Sequence, residues 1–136
     1  KKNPFKKKPY YSLNERLSKS KKILKNLKNI KIIYLDDKVK SSRTINIVNY
    51  FIKMKKRKNL YLILGADNLL NFHKWTNWKK IVKVVKLIVF SRKGFKKKSN
   101  NSVVVKYLNK KNITFVNIKN INISSSSIKN KLQKKI

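Results

Sequence analysis

The run Leu60-Tyr61-Leu62-Ile63-Leu64 stops at Gly65, and Asp67 follows after one alanine. Consecutive apolar residues over one strand length suit a strand buried on both faces, the pattern of a central strand in a parallel sheet. That pattern constrains the whole chain, because a parallel sheet needs crossover helices between its strands. In open sheets of this kind, ligands sit beyond the carboxyl ends of the strands. The stretch from Leu60 to Trp75 therefore reads as such an edge, with a carboxylate and an aromatic plate set on it.

The remaining segments fit the same alternation. Ser12-Leu13-Asn14-Glu15 has the form of a capping box. Leu13, Leu17, Leu24 and Leu27 recur at helical spacing and predict a helix from 13 to 27. Ile30–Leu35 predicts a strand closed by Asp36-Asp37. Ser41-Ser42-Arg43-Thr44 offers N-cap residues, and Ile45, Val48, Phe51 and Ile52 form an apolar stripe that predicts a second helix, ending near Lys56. Asp67 or Asn68 can cap a short turn. Thr76 can cap a helix carrying Trp78, Ile81, Val82 and Val85. A strand over 86–91 follows, with Arg92 at its end and Gly94 in the turn out of it. Residues 96–101 read as a polar loop, 103–108 as a helix and 113–118 as a strand. Ser124 to Ser127 opens a last helix with Ile128, Leu132 and Ile136 on one face. Strands alternate with helices throughout, so the expectation is a single α/β domain over 1–136.

Composition narrows the function classes. The chain has 136 residues, 40% of them hydrophobic, enough for one domain with a core. It has no cysteine, which excludes disulfides and thiolate metal sites and suits the cytoplasm. Its apolar runs fall far short of the roughly 20 residues that span a bilayer. The formal charge of +34 favours polyanions. Its lysines are scattered through every segment rather than gathered in one arm, so nucleic acid is expected to bind only non-specifically, through charge. The start Lys1-Lys2-Asn3-Pro4 reads like the middle of a longer chain.

The candidate site residues each carry two readings. Asp67 is one of four acidic residues; it is either an acceptor for ribose hydroxyls or a helix N-cap. Ser124, Ser125 and Ser126 form a phosphate site at a helix start, with Lys129 in the first turn, or an ordinary cap. Arg92 is a ligand contact or solvated surface. Trp75 is core or, among its polar neighbours Lys74, Thr76 and Asn77, a partly open stacking surface. Trp78 fits the core. His73 is the single histidine, and with no partner ligands it reads as structural, so no metal site is expected.

In order along the chain, Asn3-Pro4-Phe5-Lys6, Arg43-Thr44-Ile45-Asn46-Ile47, Gly65-Ala66-Asp67-Asn68-Leu69 with Phe72 and Trp75, Arg92-Lys93-Gly94-Phe95, and Ile123-Ser124-Ser125-Ser126-Ser127-Ile128-Lys129 resemble the motifs of bacterial nicotinate-nucleotide adenylyltransferases, members of the nucleotidylyltransferase superfamily. The resemblance implies a Rossmann-like parallel sheet with flanking helices. It also implies transfer of AMP from ATP to nicotinate mononucleotide with Mg2+, giving nicotinate adenine dinucleotide and pyrophosphate in NAD biosynthesis. Trp75 would stack on the pyridine ring and the Thr44 region would bind its carboxylate. Gly65 and Asp67 would meet the adenosine ribose. Lys6 and Arg92 would face phosphates, and Ser124, Ser125, Ser126 and Lys129 would hold those of ATP.

The chain departs from that pattern in three places. The superfamily's first strand and its histidine-x-glycine-histidine loop have no counterpart, so the domain reads as amino-terminally truncated. No catalytic residue is then expected in this stretch, and little or no activity from it alone. Arg43 stands for the usual tyrosine. Ser126 and Lys129 stand for threonine and arginine, and lysine lacks arginine's bidentate fork. The competing expectations are a basic nucleic-acid-binding α/β protein and a non-catalytic fragment that still binds nucleotide.

Overall fold

The computed structural model describes residues 11–56 and 58–118. They fall into two compact units, with 11–37 in the first and 38–118 in the second.

In the first unit, α1 spans Leu13–Ile23. Its start is the capping box read from the sequence: the Ser12 N–H donates to Glu15 Oε2 at 2.8 Å, and the Glu15 N–H donates to Ser12 Oγ at 3.2 Å. The helix stops four residues short of its predicted end, with Leu24 as the C-cap. The leucine spacing runs on to Leu27, but the helix closes at Leu24, whose N–H donates to the Ser20 carbonyl, and Leu27 lies exposed beyond it. Residues 30–35 form no strand. An apolar run becomes a strand only with a ladder partner, and this one has none among the described residues.

The second unit holds the sheet. Its elements in order are α2 (Thr44–Lys53), β1 (Leu60–Gly65), α3 (Ala66–Leu70), a 3-10 turn (Phe72–Lys74), α4 (Trp78–Val84), β2 (Val85–Phe90), α5 (Lys96–Asn100), α6 (Val103–Leu108) and β3 (Ile113–Val116). The strands are parallel in the order β1-β2-β3, so helices cross between them as expected. β2, not β1, is central among the described strands. β1 is also covered on one face only: Leu64 is buried, whereas Tyr61 is 56% and Ile63 62% exposed. Runs of five apolar residues thus marked the strand correctly but not its position in the sheet.

The covered face pairs Leu60 with Val85, Leu62 with Leu87 and Leu64 with Val89. It closes on Ala66, Leu69, Phe72, Ile81, Val82, Val104 and Val105, with Ile45 and Val48 of α2 in the same core. Burying a side chain of this size contributes roughly 1.5–3 kcal/mol. Three local predictions are corrected. Val85 begins β2 instead of ending α4, where its β-branched side chain lies in the core of the sheet. Asn77, in the left-handed region at φ 56°, precedes α4 instead of Thr76; asparagine tolerates that region better than threonine. Residues 96–100 are helical rather than loop, anchored by buried Ser99, whose Oγ donates to the Lys96 carbonyl at 2.9 Å.

Candidate functional site

The three parallel strands end side by side. Gly65 is the register partner of Phe90, and Phe90 of Val116. Two residues beyond each of these stand Asp67, Arg92 and Ile118. All three line one cavity of about 330 Å³, together with Gly65, Asn68 and Ser91. The ladder register therefore builds the site.

Asp67 does not cap a helix. Gly65 is the N-cap of α3 and Asp67 lies in its first turn. Its carboxylate is held through one oxygen. Arg92 Nη1 donates to Asp67 Oδ2 at 2.6 Å, while Oδ1 is buried without a hydrogen-bond partner. A Cβ on residue 65 would lie 2.5 Å from that Oδ1, closer than side chains tolerate, so glycine is what lets the carboxylate turn back over the strand end.

Arg92 is placed by the turn that follows it. The Phe95 N–H donates to the Arg92 carbonyl at 3.0 Å, and Gly94 takes φ +79° inside that turn. A positive φ at the third turn position suits glycine, which has no Cβ to clash. Beside it, Ser91 Oγ accepts the Ile118 N–H at 3.1 Å and ties the end of β2 to the chain leaving β3. Asn68, Phe90, Ser91 and Ile118 were not read as site residues from the sequence. The available signal was position: each lies at or just after the end of an apolar run.

Trp75 stands apart from this cavity's lining, as does Thr44. The Trp75 ring is half-buried and lies 4.7 Å from the buried Phe72 ring, at an interplanar angle of 35°. It is thus both packed on the core and partly open, which joins the two readings left by the sequence. Thr44 is the first residue of α2 and half-buried. Trp78 packs against the core as expected, with the Tyr107 ring edge-on at 5.0 Å. His73 is half-buried, and its Nδ1 has no partner. Lys6, Ser124, Ser125, Ser126 and Lys129 lie outside the described residues. Among the described residues no group of three or more histidine, cysteine, aspartate or glutamate side chains is placed to hold a metal ion. No described helix is long and apolar enough to cross a membrane.

The sheet edge, with a glycine, a carboxylate and a guanidinium around one cavity, is an arrangement suited to a nucleotide. The profile of the family described as Cytidylyltransferase-like matches residues 1–131. The chain belongs to that family.

Among the relatives of this cytidylyltransferase-like chain is a protein of Pelagibacter ubique named "Probable nicotinate-nucleotide adenylyltransferase". It is 45% identical over 129 residues, which cover 95% of this chain and 71% of the relative. Proteins of the same name from Helicobacter pylori strain J99 and Fusobacterium nucleatum are 36% and 34% identical, over 68% and 88% of this chain. The chain spans 54% and 62% of the length of those two. The resemblance read from the five motifs is thereby confirmed, as is the parallel α/β fold that it implied.

Proposed function

We propose that the protein transfers AMP from ATP to nicotinate mononucleotide, forming nicotinate adenine dinucleotide and pyrophosphate in NAD biosynthesis. The observation that carries the proposal is the Asp67 carboxylate, fixed beyond the end of β1 in a 330 Å³ cavity with Gly65 and Arg92. The names of the relatives supply the reaction.

In this reading Asp67 and Gly65 meet the adenosine ribose, the carboxylate accepting a hydroxyl hydrogen bond. Arg92 lines the same cavity, paired with Asp67, and Lys6 faces phosphate. Ser124, Ser125, Ser126 and Lys129 hold the phosphates of ATP. Trp75 offers its open face to the pyridine ring, and the Thr44 region takes the pyridine carboxylate. None of these groups is a nucleophile or general base. Their part in catalysis is to align the two substrates and offset the charge that develops on the transferred phosphoryl group. Magnesium enters with ATP, on the phosphates of the co-substrate. The described residues form no carboxylate or histidine cluster for that ion.

The deciding experiment is pyrophosphate release from ATP with nicotinate mononucleotide as acceptor, alongside binding of each substrate to Trp75→Ala. The variant is expected to weaken binding of the mononucleotide far more than that of ATP. Equal losses would remove Trp75 from the pyridine site, and no pyrophosphate release by the full-length protein would end the proposed reaction.

A further inference from the structure

We infer that Arg92 acts on the nucleotide chiefly through Asp67, as a positioning residue that fixes the carboxylate in one orientation. The inference rests on the reading that Asp67 accepts a ribose hydroxyl.

Three observations carry it. First, Arg92 has a built partner: its Nη1 lies 2.6 Å from Asp67 Oδ2, so the guanidinium is already engaged before any ligand arrives. Second, the pair is not placed to stabilise the fold. The Arg92 and Asp67 side chains are 53% and 26% exposed, and exposed pairs contribute little to stability. Third, the other carboxylate oxygen is confined. Asp67 Oδ1 is buried without a donor, over the open side of Gly65, and that leaves Oδ2 as the accessible acceptor. A carboxylate oxygen accepts more than one hydrogen bond, so Oδ2 can serve Arg92 and a ligand hydroxyl together. Without Arg92 the short side chain is free to turn about its bonds, and the acceptor is no longer pre-aimed into the cavity.

The test compares ATP with its 2′- and 3′-deoxy analogues by calorimetry, using inorganic tripolyphosphate as a ribose-free probe. The wild-type protein is expected to prefer ATP over at least one deoxy analogue by about tenfold, the size of one charge-assisted hydrogen bond. Arg92→Gln should erase that preference and Arg92→Lys restore part of it. Tripolyphosphate affinity should fall no further in Arg92→Gln than in Lys93→Gln, an exposed neighbour with the same charge change. Melting temperatures of these variants should match the wild type. If Arg92→Gln keeps the hydroxyl preference but loses tripolyphosphate affinity well beyond Lys93→Gln, Arg92 is a phosphate ligand and the positioning role is wrong. A wild-type protein with no preference, matched by an Asp67→Asn variant that binds ATP equally well, removes the ribose reading itself and the positioning role with it.

Discussion

Asp67 and Arg92 lie 25 residues apart in sequence yet form a 2.6 Å ion pair, because each stands two residues beyond a register-matched strand end, Gly65 against Phe90. Arg92 is uninformative alone in so basic a chain, and Asp67, one of four acidic residues, alone reads equally well as a helix cap. The ladder makes them neighbours, and the missing Cβ at Gly65 leaves room for the carboxylate to lie as Arg92 holds it.

Gly65→Ala tests that space. The backbone at residue 65 (φ −79°, ψ 153°) is open to any amino acid, so the fold should survive. The added methyl would sit 2.5 Å from Asp67 Oδ1 and must push the carboxylate aside. We expect ATP affinity to fall about tenfold, the cost of one misplaced charge-assisted hydrogen bond, with little change in melting temperature. Unchanged affinity would show that the carboxylate direction does not matter.

Phe72 joins the core to the aromatic plate. It is fully buried, and its ring supports Trp75 at 4.7 Å. Phe72→Ala should cost about 3–5 kcal/mol in urea unfolding. Phe72→Leu should cost much less while still releasing the Trp75 ring, seen as a red shift of tryptophan emission.

Glu15 ties α1 to pH. Hydrogen bonds from the Ser12 hydroxyl and then the Ser12 backbone N–H, followed by the nearby Lys19 charge, hold its carboxyl below the ordinary value of 4.5. A lowered folded-state pKa contributes stability that is present above the unfolded value and lost as pH falls through the folded one. Amide exchange over residues 13–23 should therefore quicken as pH drops below about 4.5, once corrected for intrinsic rates. Glu15→Gln keeps a capping partner but should abolish that dependence.

β1 carries one ladder among the described residues, and Tyr61 and Ile63 are exposed on its uncovered face. The charge of +34 opposes self-association at low ionic strength. Salt shortens the screening length from about 10 Å at 0.1 M to about 3 Å at 1 M. Light scattering should therefore rise with salt, and Ile63→Lys should suppress the rise. Equal scattering from the variant would place the contact elsewhere.

The same charge predicts oligonucleotide binding that is insensitive to sequence and falls steeply as salt is raised. Sequence-selective binding that survives 0.5 M salt (roughly a 4 Å screening length) would instead favour a dedicated nucleic-acid function.

The sequence by itself determined the local and the recurrent. Ser12 and Glu15 announce a helix start, Leu60 to Gly65 a strand and its end, Gly94 a turn, and five ordered motifs the family, because each depends on residues close together in the chain. What lay beyond it depended on distant partners. Residues 30–35 look like a strand, but no ladder forms on them; residues 96–100 look like loop, but buried Ser99 anchors a helical turn. Asp67 could equally have been a cap until the register of β1 against β2 set it beside Arg92. Strand pairing is fixed by hydrogen bonds between segments far apart in sequence, so only the tertiary structure decided which side chains share the cavity.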